Sequence, residues 1–331
     1  MLPRTLAALC LPCAALALPS TAAAAAFKDR VVTSRVVAHA AQAAGTTARY
    51  PTGDGGTIPV TADDPAIAQR YATFVGTLPH GREIAYLHIV VVPAAKINSE
   101  CGGSAGDGIL ACYGSSDQTM IVPDAQPSDS EVSVDYVITH EYGHHIAGHR
   151  SNAPLKALDW GPKRWSSYEL VCANTLAGKL APGDEGANYR SNPGEGWAES
   201  YARLVFPTEA WRFTSLLKPT SGSLLAAMAD VTQPWTKPVT TTFTGTDSRT
   251  FHLPLTLDGA FTLQLSGPKD ANYDIVVKSG GKVEDRTTEA GSSDRLHYRI
   301  ACRDHRTENL AITVVRRSGA GAYSLTATYA G

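Results

Sequence analysis

His140-Glu141-Tyr142-Gly143-His144 is the stretch of this 331-residue chain that most strongly indicates its fold. It has the spacing HExxH, and residues four apart on a helix lie on one face. His140 and His144 can therefore place two imidazole nitrogens on one metal ion. Glu141 lies beside them as a base for a metal-activated water. The alternative is an accidental match on a surface helix that contains several histidines.

The residues around this motif have the pattern of a helix that packs against a core. Ser128, with Glu131 three residues later, has the pattern of a capping box. Gly148 is expected to end the helix. Between them, apolar residues recur every four positions, at Val134, Ile138, Tyr142 and Ile146. The motif is thus predicted on a core-packed helix.

A zinc site of this kind needs a third protein ligand and keeps a fourth position for water. Glu195 is the preferred candidate, because Asn192 is a good N-cap for a helix that would carry it. Glu199 shares that helix face and can accept the second N–H of a ligating histidine. His149 and Glu169 remain alternative third ligands. The competing interpretation of Glu195 and Glu199 is a solvated acidic face.

HExxH followed by a downstream ExxxE helix resembles the gluzincin branch of the zincin metallopeptidases. The run NPGEGWAESYARL from Asn192 resembles the third-ligand helix of secreted bacterial zincins. The stretch from Ala111 to Ile121 resembles the strand that precedes their active-site helix. Together these matches cover residues 85–210.

The resemblance implies a secreted zinc endopeptidase with one catalytic Zn²⁺, acting on protein or peptide substrates. It implies that Glu141 is the general base and that Tyr189 stabilises the oxyanion. The implied metal ligands are His140, His144 and Glu195, and Glu199 would orient a histidine. No EF-hand-like loop is visible in the sequence, so calcium is unsupported.

The expected fold is an α+β zincin-like catalytic domain, with a small mixed sheet, an active-site helix and a helical lower lobe. Helices are expected over 66–78 and 166–180, and a buried strand over 84–92. Thr119–Pro123 is expected to be a second strand. In zincins that position is the sheet edge, which can pair with an extended peptide. A plain core strand is the alternative.

Pro234 and Pro238 mark a boundary, beyond which apolar residues alternate in short runs. This pattern predicts an all-β sandwich over 236–331, after a metallopeptidase domain over 27–235 whose residues 27–60 are either a pro-segment or a strand and loop. Asn272-Tyr273-Asp274-Ile275 and the closing run from Gly319 resemble the bacterial pre-peptidase C-terminal domain. That resemblance implies a domain that binds a surface or is removed after export.

Residues 1–26 have the basic start, apolar core and small-residue end of a signal peptide. The mature protein is therefore expected to be exported to an oxidising compartment, where its four remaining cysteines can form disulfides. Cys101 and Cys112 flank a glycine-rich loop and are the preferred pair, and Cys172 with Cys302 is the second.

Composition excludes some classes of partner. The formal net charge is −2, and the sequence has no basic block, so nucleic acid is not an expected partner. After residues 1–26, no apolar stretch is long enough to suggest a membrane span, and a monomer is expected. Two other functions stay open: a non-catalytic secreted binding protein on a zincin scaffold, and a zinc hydrolase of a non-peptide amide.

Overall fold

The computed structural model describes residues 27–104, 106–127 and 130–331. The predicted signal peptide and the predicted N-cap Ser128 lie outside the described residues. Within them, a mixed α/β part is followed by antiparallel sheets arranged like a β-sandwich. No helix in the described part of the chain is long and apolar enough to cross a membrane.

The first part is built on a six-stranded mixed sheet. In space the strands run in the order β1-β5-β6-β4-β3-β2. Parallel pairs join β1 to β5, β6 to β4 and β4 to β3, whereas β5–β6 and β3–β2 are antiparallel. The strands are β1 (Val31–Val32), β2 (Thr46–Pro51), β3 (Thr57–Ala62), β4 (His88–Val92), β5 (Cys112–Gly114) and β6 (Thr119–Pro123).

Strand β6 lies inside this sheet, so the expectation that Thr119–Pro123 forms the edge is wrong and the alternative of a core strand holds. All five residues of β6 are buried, as an apolar run covered on both faces requires. The edge beside β5 is instead β1, where Val31 pairs with Tyr113. The strand expected over 84–92 begins only at His88, because Arg82–Tyr86 forms a 3₁₀ turn.

Nine α-helices are present in the described residues, and α4 lies between the sheet and α8. They are α1 (Ser34–Ala43), α2 (Pro65–Val75), α3 (Ile97–Glu100), α4 (Val134–Gly148), α5 (Ala157–Trp160), α6 (Lys163–Tyr168), α7 (Val171–Leu176), α8 (Pro193–Val205) and α9 (Ser221–Thr232). Short 3₁₀ turns also occur at Ala94–Lys96, Tyr189–Ser191 and Ser215–Leu217.

Helix α4 begins later than the capping pattern predicts. Its N-cap is Ser133, whose hydroxyl accepts a hydrogen bond from the Tyr136 amide at 3.2 Å, so the prediction of a start at Ser128 is wrong. The helix ends at Gly148, as predicted. Gly143 allows α8 to approach closely, since a Cβ there would lie only 2.8 Å from the Ala198 Cα. The HExxH helix is buried from Tyr136 to Ala147.

The helix expected over 166–180 is two shorter helices. Leu170 has a φ of 54°, in the left-handed region, and separates α6 from α7. The sequence does not predict this break, because no glycine or proline lies at it. The helix expected over 66–78 is observed as α2, with Asp64 as its N-cap.

The second part consists of two four-stranded antiparallel sheets, in the orders β11-β10-β13-β8 and β12-β9-β14-β7. Apolar residues from both sheets form one core cluster, which includes Leu253, Leu263 and Ile275. The sandwich-like arrangement agrees with the period-two pattern. The strands are β7 (Val239–Gly245), β8 (Arg249–Leu255), β9 (Gly259–Ser266), β10 (Asn272–Ser279), β11 (Lys282–Arg286), β12 (Arg295–Ala301), β13 (Glu308–Ser318) and β14 (Tyr323–Tyr329).

Both expected disulfides are formed. Cys101 and Cys112 join α3 to β5 with an S–S distance of 2.06 Å. Cys172 and Cys302 join α7 to the segment after β12. Beside this second disulfide, the buried Arg303 guanidinium donates to the Ser167 carbonyl at 2.6 Å, so a buried polar contact as well as a disulfide connects the two parts.

Candidate metal centre

Two helices face each other at the candidate site. His140 and His144 lie one turn apart on α4, and their ring centroids are 5.2 Å apart. Asn192 caps α8 through the Gly194 amide, and Glu195 in its first turn faces the two imidazoles. The Glu195 Oε2 lies 3.3 Å from the His140 Nε2 and 3.4 Å from the His144 Nε2. The structure thus brings together the three residues that the sequence predicts as ligands.

A fourth residue, Asp29, reaches the same point from the segment that precedes β1. Its Oδ2 lies 3.0 Å from the His144 Nε2 and 3.5 Å from the His140 Nε2. The candidate ligand atoms of Asp29, His140, His144 and Glu195 all lie within 4.8 Å of one another, and all four residues are buried. Sequence reasoning missed Asp29.

This donor set fits a zinc ion. Two imidazole nitrogens and carboxylate oxygens are ligands that zinc accepts. Ligands about 2.0–2.1 Å from a tetrahedral zinc lie about 3.3 Å from one another. The four separations here between a histidine nitrogen and a carboxylate oxygen are 3.0–3.5 Å. The second oxygen of Glu195 is buried and has no hydrogen-bond partner among the described residues. A buried, unpaired carboxylate oxygen is what a coordinating cation would satisfy.

The electrostatics of the site favour positive charge. Burial lowers the pKa of His140, but the carboxylates of Asp29, Glu195 and Glu199 outweigh burial and hold that pKa well above its usual value. Burial likewise lowers the pKa of His144, and Glu195 and Asp29 raise it further than burial lowers it. Burial raises the pKa of Asp29, yet the two histidines keep it well below its usual value. The carboxylates therefore stabilise a cation at this point.

Glu141 follows His140 on α4 and is fully buried. Neither of its carboxylate oxygens has a hydrogen-bond partner among the described residues. Burial raises the pKa of Glu141 well above its usual value, and the charge of Asp29 raises it further. A buried carboxyl group without partners is a group that can accept and release a proton.

Glu199 holds the His140 ring. Its Oε2 accepts from the His140 Nδ1 at 3.2 Å, while its Oε1 accepts from the Arg212 Nη1 at 3.3 Å. The Nδ1 hydrogen bond leaves the Nε2 nitrogen of His140 directed at the ligand cluster. This is the position in which the sequence predicts Glu199.

Tyr189 is buried at the site, but its hydroxyl contacts Asp29. The hydroxyl donates to the Asp29 Oδ1 and accepts from the Asp29 backbone amide at 3.3 Å. Its predicted role at an oxyanion stays a prediction. Its observed contact holds the Asp29 carboxylate in place.

The alternative third ligands lie outside this cluster. His149 is the residue after α4 and stacks on Tyr86, with ring centroids 5.4 Å apart. Glu169 is buried in another place, at the end of α6. Neither belongs to the cluster of residues that could hold a metal ion in the described part of the chain.

Asp29 is separated from His140 by 111 residues along the chain, so no motif spacing connects them. The only sequence signal is that Asp29 belongs to a charged run, Lys28-Asp29-Arg30, close behind the predicted signal peptide, within a segment whose pattern is otherwise weak. The pairing of β1 with β5 brings Asp29 to the site, so its place beside HExxH becomes visible only in the folded chain.

Comparison with known proteins identifies no family for the chain. No protein-family description matches it, and no curated protein matches it. Among solved structures, one match is the crystal structure of Aeromonas hydrophila PliG, a periplasmic lysozyme inhibitor of g-type lysozyme. The identity is 14%, the match covers 28% of this chain and 84% of that chain, and the TM-score is 0.19.

Proposed function

We propose that this chain is an exported zinc-dependent endopeptidase. In this proposal His140, His144 and Glu195 hold the metal ion and Glu141 is the general base. One observation carries the proposal: the predicted ligands converge in a buried cluster, and the carboxylate that follows the first histidine is free of hydrogen bonds within the described residues. A structural helix would not require either feature.

A zinc ion held at this cluster would supply a Lewis acid that polarises the carbonyl group of a peptide bond and makes water more acidic. Glu141 would take the proton of the attacking water and deliver it to the leaving amine. Its freedom from other hydrogen bonds leaves both oxygens available for this transfer. Glu199 would keep the His140 ring in the ligand position throughout.

Tyr189 is the proposed donor to the developing oxyanion. Its hydroxyl lies at the site, and Asp29 is the group that it contacts there. Were the Asp29 carboxylate to leave, this donor would be free for the oxygen of a reacting carbonyl group. Export belongs to the same proposal, and two disulfides are compatible with an oxidising compartment.

The experiment compares the parent with Glu141→Gln. We expect Glu141→Gln to bind about one zinc per chain and to lose about 10²- to 10⁴-fold in peptide cleavage, the usual effect of removing a general base. Glu284→Gln, an exposed position in β11, is the matched control and should cleave like the parent. Equal cleavage by Glu141→Gln and the parent would contradict the assignment of the base.

A second candidate function has one specific observation in its favour. Structural zinc sites are closed by four protein ligands, and Asp29 completes four ligands here. The chain would then be a secreted binding protein stabilised by its metal. In that case parent and Glu141→Gln would both bind zinc, and neither would cleave a peptide.

A further inference from the structure

We propose that residues 27–30 occupy the groove that receives the peptide substrate, with Asp29 closing the metal site as a displaceable fourth ligand. This inference rests on the proposed function and concerns the regulation of the same site. The protein would be latent with this segment in place and active once the segment is displaced.

The segment binds the sheet edge as an added strand does. The Lys28 carbonyl accepts from the Leu110 amide at 2.9 Å, and the Arg30 carbonyl accepts from the Tyr113 amide at 3.0 Å. Without the segment, these two amides would be free donors on the edge of a sheet next to the metal site. An extended peptide binds to donors of this kind by adding a strand.

The side chains of the segment fill the space in front of the metal site. Phe27 is only 6% exposed, and its ring lies 4.7 Å from the His140 ring and 6.0 Å from the Tyr136 ring, between centroids. Two cavities of about 400 and 440 Å³ border the segment, and Phe27 and Arg190 line both. The groove thus continues beyond the residues that occupy it.

Asp29 supplies the contact that closes the site. Its carboxylate reaches both histidines and accepts from the Tyr189 hydroxyl, so it occupies the fourth position that a catalytic zinc site leaves for water. A carboxylate is not a hydrolysable group. The carbonyl that precedes Asp29, that of Lys28, is bonded to the sheet edge. The segment therefore fills the groove as an inhibitor and not as a substrate.

The consequence for binding can be stated as a population. Substrate and segment compete for the same edge and the same metal position, so substrate binds only the open fraction. If about 1 in 100 molecules is open, the apparent affinity for a competing ligand falls about 100-fold. Weakening the closed form should raise the affinity for that ligand without changing the groove itself.

The test measures access to the site separately from turnover. All variants are made in the full chain that also carries Glu141→Gln, so that ligand binding is read without cleavage. The probe is a fluorescent peptide hydroxamate, which needs both the groove and an open metal position. Asp29→Ala and Phe27→Ala are each compared with the Glu141→Gln protein whose residues 27–30 are unchanged. Asp117→Asn, at an exposed aspartate, is the control. Zinc content is measured on every sample.

We expect Asp29→Ala to retain about one zinc per chain. It should bind the probe at least about tenfold more tightly than the protein with the unchanged segment does. Phe27 is not one of the proposed ligands, although its ring packs against His140. Phe27→Ala should also tighten binding, with zinc unchanged, so the test stands even if Asp29→Ala fails to fold. If folded Phe27→Ala bound the probe only as tightly as the protein with the unchanged segment, the proposal would be overturned. Loss of zinc from folded Asp29→Ala would also overturn it, since Asp29 would then be a required ligand.

Peptide cleavage by the same segment variants with Glu141 restored separates the two proposals. Tighter probe binding together with faster cleavage supports both. Tighter probe binding with no cleavage by any variant would keep the closure of the metal site and overturn the peptidase function.

Discussion

Gly143→Ala tests whether the close contact of α4 with α8 sets the geometry of the metal site. The added Cβ would lie 2.8 Å from the Ala198 Cα and 3.2 Å from the Ala198 carbonyl oxygen. Both atoms belong to the backbone of α8, so no side-chain rotation can relieve the contact. The two helices would have to separate by at least about 0.7 Å to restore an ordinary carbon–carbon distance of about 3.5 Å.

That separation bears directly on the ligands. Glu195 and Glu199 lie on α8 and the two histidines on α4, with nitrogen–oxygen distances of 3.2–3.4 Å between them. Metal sites tolerate deviations of about 0.2 Å in ligand distance. We therefore expect zinc affinity to fall about 10- to 100-fold, the range found when ligand orientation is disturbed. Overpacking should lower the free energy of unfolding by about 1–3 kcal/mol, offset by about 1 kcal/mol from the better helix former.

The assay is competition for zinc against a chelator of known affinity, with urea unfolding on the same samples. Gly148→Ala is the matched control on the same helix, because its Cβ would meet nothing closer than the Tyr113 hydroxyl at 3.4 Å. Zinc affinity in Gly143→Ala equal to that of the parent would mean that the close contact with α8 does not position the ligands.

Two further predictions concern a single side chain each. Glu199→Gln should weaken zinc binding about tenfold, because the charge that holds the His140 Nδ1 is removed. Glu209→Gln is the control and should not weaken it, because Glu209 bonds Arg212 but no histidine. Equal zinc affinities of the two variants would show that Glu199 does not hold the ring. Burial lowers the pKa of Lys163 to about 8, so the unfolded chain binds more protons than the folded protein above that pH. The free energy of unfolding should therefore rise as the pH increases from 8 to 10. Urea unfolding at these two pH values should show a smaller rise for Lys163→Met than for the parent. An identical rise in both proteins would contradict the lowered pKa of Lys163.

The sequence predicts features that depend on neighbours along the chain. His140 and His144 share a face because of helical spacing, and the Asn192 cap places Glu195 in the first turn of its helix. The alternation after Pro238 likewise predicts the antiparallel sheets. In each case a few adjacent residues contain the whole signal.

What the sequence leaves out depends on contacts between distant segments. Asp29 reaches the histidines only because β1 adds to β5, and a weakly patterned segment gives no sign of that pairing. The buried position of Thr119–Pro123 follows from the same pairing, since β1 and β5 take the edge. Leu170 breaks a predicted helix through a left-handed backbone conformation that its side chain does not favour.

The zinc content of the purified protein, measured for the parent beside Glu195→Ala, shows whether α4 and α8 together form a zinc site. Glu169→Ala is the control, because Glu169 is a buried glutamate outside the cluster. We predict about one zinc per chain in the parent and in Glu169→Ala, and loss of zinc in Glu195→Ala. A parent that binds no zinc after reconstitution, or a Glu195→Ala variant that keeps it, would contradict the account.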